Sequence, residues 1–244
     1  MLHVDINCDM GEGIGNDEMI MPYITSANIT CGYHAGNEST IRTTILLAQK
    51  YNVNIGAHPS FQDRKNFGRT EMNLSPEEIY ELVLQQLQLF KTIASECNAG
   101  VTHVKPHGAL YNMAARDTAL AQAIAKAVKD CGEHLILYGL SGSYLVSEAK
   151  AIGLRTASEV FADRTYRDDG SLTPRDQPNA LIENIGQMKQ QVLNMVMNGK
   201  VKTVSGNEIP IVAETICIHG DGKHAVEFAK AVHDTLAFHA KKQR

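Results

Sequence analysis

A parallel α/β fold, read as a closed or slightly irregular (β/α) barrel, is the architecture this sequence predicts. Three observations predict it. Strand-like runs alternate with helical ones from end to end, seven such units can be marked, and the 244 residues match the length usual for a (β/α) barrel. An open doubly wound sheet shares the same alternation, so the pattern alone leaves closure open. The strands fall near 2–8, 26–31, 53–58, 101–106, 134–139, 155–161 and 214–219.

The first strand, "HVDINCDM", alternates His3, Asp5, Asn7 and Asp9 with Val4, Ile6 and Cys8. A two-residue period puts all of the former on one face. Two of the helices between the strands are sharply marked. "SPEEIYELVLQQLQLF" opens with Ser75 as cap, Pro76 at the first helical position and Glu78 completing a capping box. "NALIENIGQMKQQVLNMVMNG" is expected to start at Asn179, to carry Leu181, Ile185, Met188, Val192 and Met195 along one stripe, and to stop at Gly199. The segment 201–212, with Ser205-Gly206-Asn207-Glu208 as its turn and Pro210 marking an edge strand, reads as a hairpin inserted into a single barrel domain spanning 1–244.

The bulk numbers exclude several classes. A net charge of −4, with no basic run beyond the Lys241-Lys242-Gln243-Arg244 tail, argues against a nucleic-acid partner. The longest apolar stretches fall short of a membrane span, and "MLHVDINCDM" lacks a signal-peptide pattern, so a cytoplasmic address is expected. Cys8, Cys31, Cys97, Cys131 and Cys217 are odd in number and have no C-x-x-C spacing, which speaks against structural zinc and a disulfide framework. Small buried thiols are the expectation for Cys8, Cys31 and Cys217.

In a parallel barrel the active site gathers at the C-terminal ends of the strands. This sequence places Asp9, His34, His58, His103, Lys105, His107, Asp163, Arg164, His219 and Asp221 at those ends. One histidine at a strand end is ordinarily structural, and Asp5 reads as a residue that holds its neighbours. Recurrence at the same end of successive strands carries the functional reading. Lys105, between His103 and His107, is expected to lose ammonium character and act as a base or as a cation aimed at an oxyanion. Its alternative is a lysine paired with Asp9 or Glu12. Gly220, Gly222 and Lys223 precede the last helix and suit an anion, although no Walker A loop is present. Arg164, Arg167 and Arg175 are candidates to fork onto a carboxylate, with Arg164 preferred. Asp9, His58 and His107 form an O,N,N set open to a divalent metal, which the spacing does not specify.

The stretches "DINCDMGEGIGND", "ANITCGYHAGN", "IGAHPSFQDRKNFGR", "HVKPHGALYN", "EVFADRTYRDDGSLTPR" and "ICIHGD" run in order from residue 5 to residue 221. In them the chain resembles the LamB/YcsF family. Asn37, Thr70 and Asn179 stand where that family usually has an acid, an arginine and a glycine, so position 37 supplies no carboxylate to His34. The resemblance implies a distorted (β/α)7 parallel barrel of the kind found in sugar deacetylases and glycoside hydrolases. It implies a 5-oxoprolinase activity, the ATP-dependent hydrolytic opening of 5-oxoproline (pyroglutamate) to L-glutamate, with ATP as co-substrate and partner subunits B and C. The positions that carry over are Asp9, Glu12, His34, His58, Lys105, His107, Asp163 and His219.

A lactam keeps its amide resonance, and phosphorylation of its oxygen makes the ring carbon electrophilic, which accounts for the ATP. On that reading Asp9 or Lys105 activates water, and His107 or His58 steadies the developing charge. His219 with Gly220 and Gly222 holds phosphate, Arg164 holds the substrate carboxylate, and Glu12, His34 and Asp163 complete the binding shell. Two alternatives stand beside it: a metal-dependent deacetylase or amidohydrolase acting alone, and a non-catalytic subunit that binds the lactam.

Overall fold

Side-chain alternation along the first strand divides the inside of the fold from the outside. Asn7 and Asp9 turn toward the polar groups of the facing strands, while Ile6, Cys8 and Met10 are buried on the opposite side among apolar residues. The computed structural model describes residues 4–222 and 224–242. In chain order the first elements are β1 (Asp5–Met10), α1 (Asp17–Ile20), β2 (Ser26–Thr30), α2 (Glu38–Lys50), β3 (Asn54–His58) and α3 (Pro76–Glu96). Then come β4 (His103–Val104), α4 (Gly108–Arg116), α5 (Thr118–Cys131), β5 (Ile136–Leu140), α6 (Tyr144–Ala151) and β6 (Arg155–Phe161). The last are α7 (Ile185–Asn198), β7 (Lys200–Lys202), β8 (Glu208–Pro210), β9 (Thr215–Ile218) and α8 (Ala225–Lys242).

Strands β1 to β6 pair in sequence order and β9 closes the ring between β6 and β1, all in parallel. The barrel is therefore closed, which the alternation leaves open, and it has the seven strands that the alternation predicts. β4 is shorter than its apolar run because Pro106 has no N–H to continue the ladder, although Lys105 still donates its N–H to the Ala57 carbonyl at 3.0 Å. Helix α3 begins as its capping box requires: Glu78 N–H donates to Ser75 Oγ at 3.2 Å, and Ser75 N–H to Glu78 Oε2 at 2.7 Å. Its stripe of Ile79, Val83, Leu87, Phe90 and Ile93 is buried.

Helix α7 departs from expectation. It starts at Ile185, capped by the Asn184 side chain rather than by Asn179, and Met188, Val192 and Met195 form its buried stripe. Asn179 instead adopts a left-handed φ of 63°, a conformation that suits the glycine usual there. Leu181 is exposed and lies in a bridge to Arg164. The segment 164–183 is thus an irregular loop over the barrel mouth. β7 and β8 form an antiparallel hairpin whose turn is tied to this loop, because Asp168 accepts from the side chains of Thr203, Ser205 and Asn207.

Below the mouth the barrel interior is polar. Asp5 accepts from Thr25, Ser26, Thr215 and Tyr138, and Asn28 donates to Asn7 Oδ1 at 2.8 Å. The His103 ring fills the centre, stacked on Tyr138 with 4.4 Å between centroids. It fits because residue 56 on the neighbouring strand is glycine, where a Cβ would lie 2.1 Å from His103 Nε2. Gly56→Ala is expected to destabilise the fold by about 1–3 kcal/mol or more through this overpacking, read as a lowered midpoint in denaturant unfolding. An unchanged midpoint would mean that the ring has room to move.

Candidate active site

Lys105 is the centre around which the other groups are arranged. It follows β4 and enters the barrel, where its Nζ lies 3.0 Å from Asp9 Oδ1 on β1 and 2.9 Å from Glu159 Oε1 on β6. Asn7 Oδ1 at 3.2 Å and Cys217 Sγ at 3.1 Å complete its surroundings. Burial opposes the ammonium, but the Asp9 and Glu159 carboxylates outweigh it and push the Lys105 pKa well above the ordinary lysine value. Of the two readings that the sequence offers, the structure shows the lysine paired with Asp9 and not the lysine losing its charge beside histidines. The strand period puts His103 and Lys105 on one face but says nothing of the carboxylates that face Lys105 from β1 and β6.

Asp9 is held as a carboxylate. Burial works to raise its pKa, yet the neighbouring His58 and Lys105 hold it well below the usual range, and Asn28 Nδ2 donates to Oδ1 at 2.8 Å. Glu159 is fully buried, and its Oε2 accepts from Tyr111 at 2.6 Å. Cys217 behaves as a thiol because burial pushes its pKa well up, which removes support for a cysteine nucleophile.

Beside this trio, Glu12, His34, His58 and His107 converge. Glu12 Oε1 lies 3.0 Å from His34 Nε2, so the carboxylate absent from position 37 is supplied from the loop after β1. Burial holds His34 down to about 2 and His107 well below the ordinary imidazole value. It drives Glu12 up, helped by Asp9 and Asp221. These four residues are one group with the donor atoms to hold a metal, and Asp9, Cys217 and His219 form a second such group.

A cleft of about 920 Å³ opens at the C-terminal end of the barrel, lined by Asp9, Glu12, His58, Lys105, His107, Arg164, His219 and Gly220 among others. His34 and Asp163 stand behind this lining and Gly222 lies outside it. Asp163 orients His219: Oδ1 and Oδ2 lie 2.9 and 3.0 Å from Nδ1, and the imidazole stacks on Phe161. Gly220 packs against the first strand, since a Cβ there would lie 2.9 Å from the Asp9 carbonyl. Lys223 lies outside the described residues.

Arg164 is engaged elsewhere than the sequence suggests. Its guanidinium donates to the carbonyls of Ala180 and Thr173, so it braces the 164–183 loop. Arg69 and Arg175 flank Asp221, at 2.5 and 3.7 Å, and with Arg167 they line the cleft beside the carboxylates of Glu71, Asp169 and Asp176. Neither Arg69 nor Glu159 is among the candidates that the sequence points to. Glu159 has a signal, an acid inside the apolar run "SEVF"; Arg69 sits on a loop and carries none.

Burial works to raise the Asp163 pKa, but His219, Arg175 and Arg164 outweigh it, and the result lies below the ordinary value. A group with a depressed folded pKa contributes stability above its unfolded pKa and loses it as pH falls through the folded one. Asp163→Asn is therefore expected to be less stable than the parent at neutral pH, and the gap to close below the ordinary carboxylate range in denaturant melts. A gap independent of pH would contradict the pairing.

Known proteins share both the barrel and much of the sequence. The family model described as "LamB/YcsF family" matches residues 4–243. A 5-oxoprolinase subunit from Brevibacillus brevis is 52% identical over 242 residues, covering 97% of this chain and 95% of that protein. Its counterpart from Bordetella pertussis is 50% identical over 234 residues, covering 94% and 93%. The crystal structure of a lactam utilization protein from Thermus thermophilus superposes with a TM-score of 0.90 at 40% identity, over 97% of each chain. A family 4 carbohydrate esterase from Streptomyces lividans shares the fold at a TM-score of 0.51 and 12% identity, over 97% of this chain and 88% of that one. With a closed seven-stranded barrel, this cluster of side chains at its mouth and relatives matched over almost their whole length, the chain belongs to the LamB/YcsF family.

Proposed function

We propose that this protein acts in 5-oxoproline metabolism as the ring-opening subunit of an ATP-dependent 5-oxoprolinase, working with partner subunits B and C. The names of its relatives support the metabolic role and the multi-subunit setting. The observation that carries the hydrolytic reading is the Asp163–His219 pair at the wall of a polar cleft, next to the Asp9–Lys105–Glu159 trio. A carboxylate on Nδ1 fixes the tautomer that leaves Nε2 to accept a proton, the arrangement a general base needs.

In this reading His219 replaces Asp9 and Lys105 as the group that activates water. Lys105 is saturated by its four neighbours and serves as a fixed charge that holds Asp9 in place. Phosphorylation of the lactam oxygen by ATP, in the assembled complex, makes the ring carbon electrophilic. Water adds to that carbon and gives a proton to His219 Nε2, which passes it to the ring nitrogen as the C–N bond breaks. The resulting acyl phosphate is then hydrolysed to glutamate and phosphate. The substrate is anionic from the start and more so once phosphorylated, which suits the rim of Arg69, Arg167 and Arg175.

The test is to combine this chain with subunits B and C, 5-oxoproline and ATP, omitting each in turn. Glutamate is expected only from the complete mixture, and His219→Gln in that mixture is expected to lower kcat by about 10²–10⁴-fold. Turnover by the chain alone without ATP would overturn the assignment in favour of a self-sufficient hydrolase. Full turnover with His219→Gln would remove the histidine from the chemistry.

A further inference from the structure

Two ring nitrogens in the cleft wall, His58 Nε2 and His107 Nδ1, face each other. His58 Nδ1 lies 2.7 Å from the Lys105 carbonyl and His107 Nε2 lies 2.8 Å from the Phe67 carbonyl. A carbonyl only accepts, so each of these nitrogens carries the ring's proton. The other nitrogens, His58 Nε2 and His107 Nδ1, lie 2.9 Å apart, and a cation held between them would take the place of the proton that one of them must otherwise carry. The oxygens nearest to them are carboxylate oxygens as well. Glu12 Oε1 is 3.5 Å from His107 Nδ1 and 3.9 Å from His58 Nε2, and Asp9 Oδ2 is 3.4 Å from His58 Nε2. Such a set of buried acceptors calls for a cation in its midst.

We infer that Glu12, His58 and His107 form a binding site for a divalent transition-metal ion of zinc-like ligand preference, with Asp9 alongside. Bonds of about 2.0–2.2 Å in a tetrahedral shell separate neighbouring ligand atoms by about 3.3–3.6 Å, and the spacings here, 2.9, 3.5 and 3.9 Å, bracket that range. The carbonyls behind His58 and His107 supply the outer hydrogen bonds that orient metal-bound imidazoles. His34 plays a different part. Its ring lies parallel to that of His107, 5° apart in plane with 3.9 Å between centroids, so the two lone pairs do not meet at one point. Its Nδ1 lies 2.9 Å from Ser60 Oγ, whose hydroxyl donates to the Phe61 carbonyl, and its Nε2 lies 3.0 Å from Glu12 Oε1, which makes it a positioning residue for that side chain. This site stands on its own geometry and is independent of the lactam reading.

The experiment is metal binding by the purified chain after chelator stripping, with Zn²⁺ and Co²⁺ followed by calorimetry and metal content, and Co²⁺ also by its visible ligand-field spectrum. About one ion per chain is expected, with the intense Co²⁺ bands of a low-coordinate nitrogen and oxygen site. Glu12→Gln, His58→Gln and His107→Gln are each expected to abolish the spectrum, and His34→Gln to keep it with affinity weakened by about 10-fold. The parent protein alone decides the main point if a variant fails to fold. Failure of the stripped parent to bind either ion stoichiometrically would overturn the inference and leave a proton shared by His58 and His107. Binding that survives both histidine substitutions would place the ion elsewhere and overturn it equally. Loss of 5-oxoproline turnover with metal binding intact would count against the proposed function and not against this site.

Discussion

An ammonium group buried between two carboxylates sets the terms for the rest of this structure. Lys105 reaches Asp9 on β1 and Glu159 on β6 from the end of β4, so one charged contact spans three separated staves of the barrel. Taking three charges out of water is costly, and the attraction offsets the cost only if the remaining lone pairs and protons are also satisfied. The interior satisfies most of them, while Glu159 Oε1 has no hydrogen bond and is held by the Lys105 charge. Asn28 and Asn7 surround Asp9 and Lys105, Tyr111 donates to Glu159, and beneath them Asp5 collects four hydroxyl donors. A (β/α) barrel is more usually filled by branched apolar residues. Here the apolar core lies between strands and helices, and the inner space is given to a hydrogen-bonded network.

That network fixes the geometry at the mouth. Asp9 is held from below by Lys105 and Asn28, and Glu12, in the loop that follows β1, turns back to meet His34. Opposite it, Asp163 holds His219 and the 164–183 loop is braced by Arg164. The cleft therefore has an acidic and imidazole-rich floor and a rim of arginines and carboxylates drawn from loops. A floor of that kind suits proton transfer or ion binding, and the arginines of the rim suit anionic groups. This division explains why the most chemically suggestive residues are also among the most buried.

The sequence carried the fold because β-strand alternation and helix capping are local signals. The two-residue period of "DINCD" and the capping box at Ser75 both read through to the structure. Where a local signal is ambiguous the structure differs from it: Asn179 resembles a helix cap, but the chain turns through a left-handed residue there and the helix begins at Ile185. The site was legible as a set of strand ends, since strand order and parallel topology bring those ends to one rim. Its internal electrostatics were not. The charge on Lys105 depends on Glu159, and the availability of Arg164 depends on the carbonyls of Ala180 and Thr173, pairings made only by closure of the barrel and the path of a long loop.

The measurement that bears most directly on this account is a double-substitution cycle between Lys105→Met and Glu159→Gln in denaturant unfolding. Each single change leaves buried charge without its counterpart and is expected to cost about 3–5 kcal/mol. Together they remove both members, so the double variant should be less destabilised than the sum by about 2 kcal/mol or more. Additive costs would mean that the two groups do not depend on each other, and the central ion trio would not be what organises the barrel.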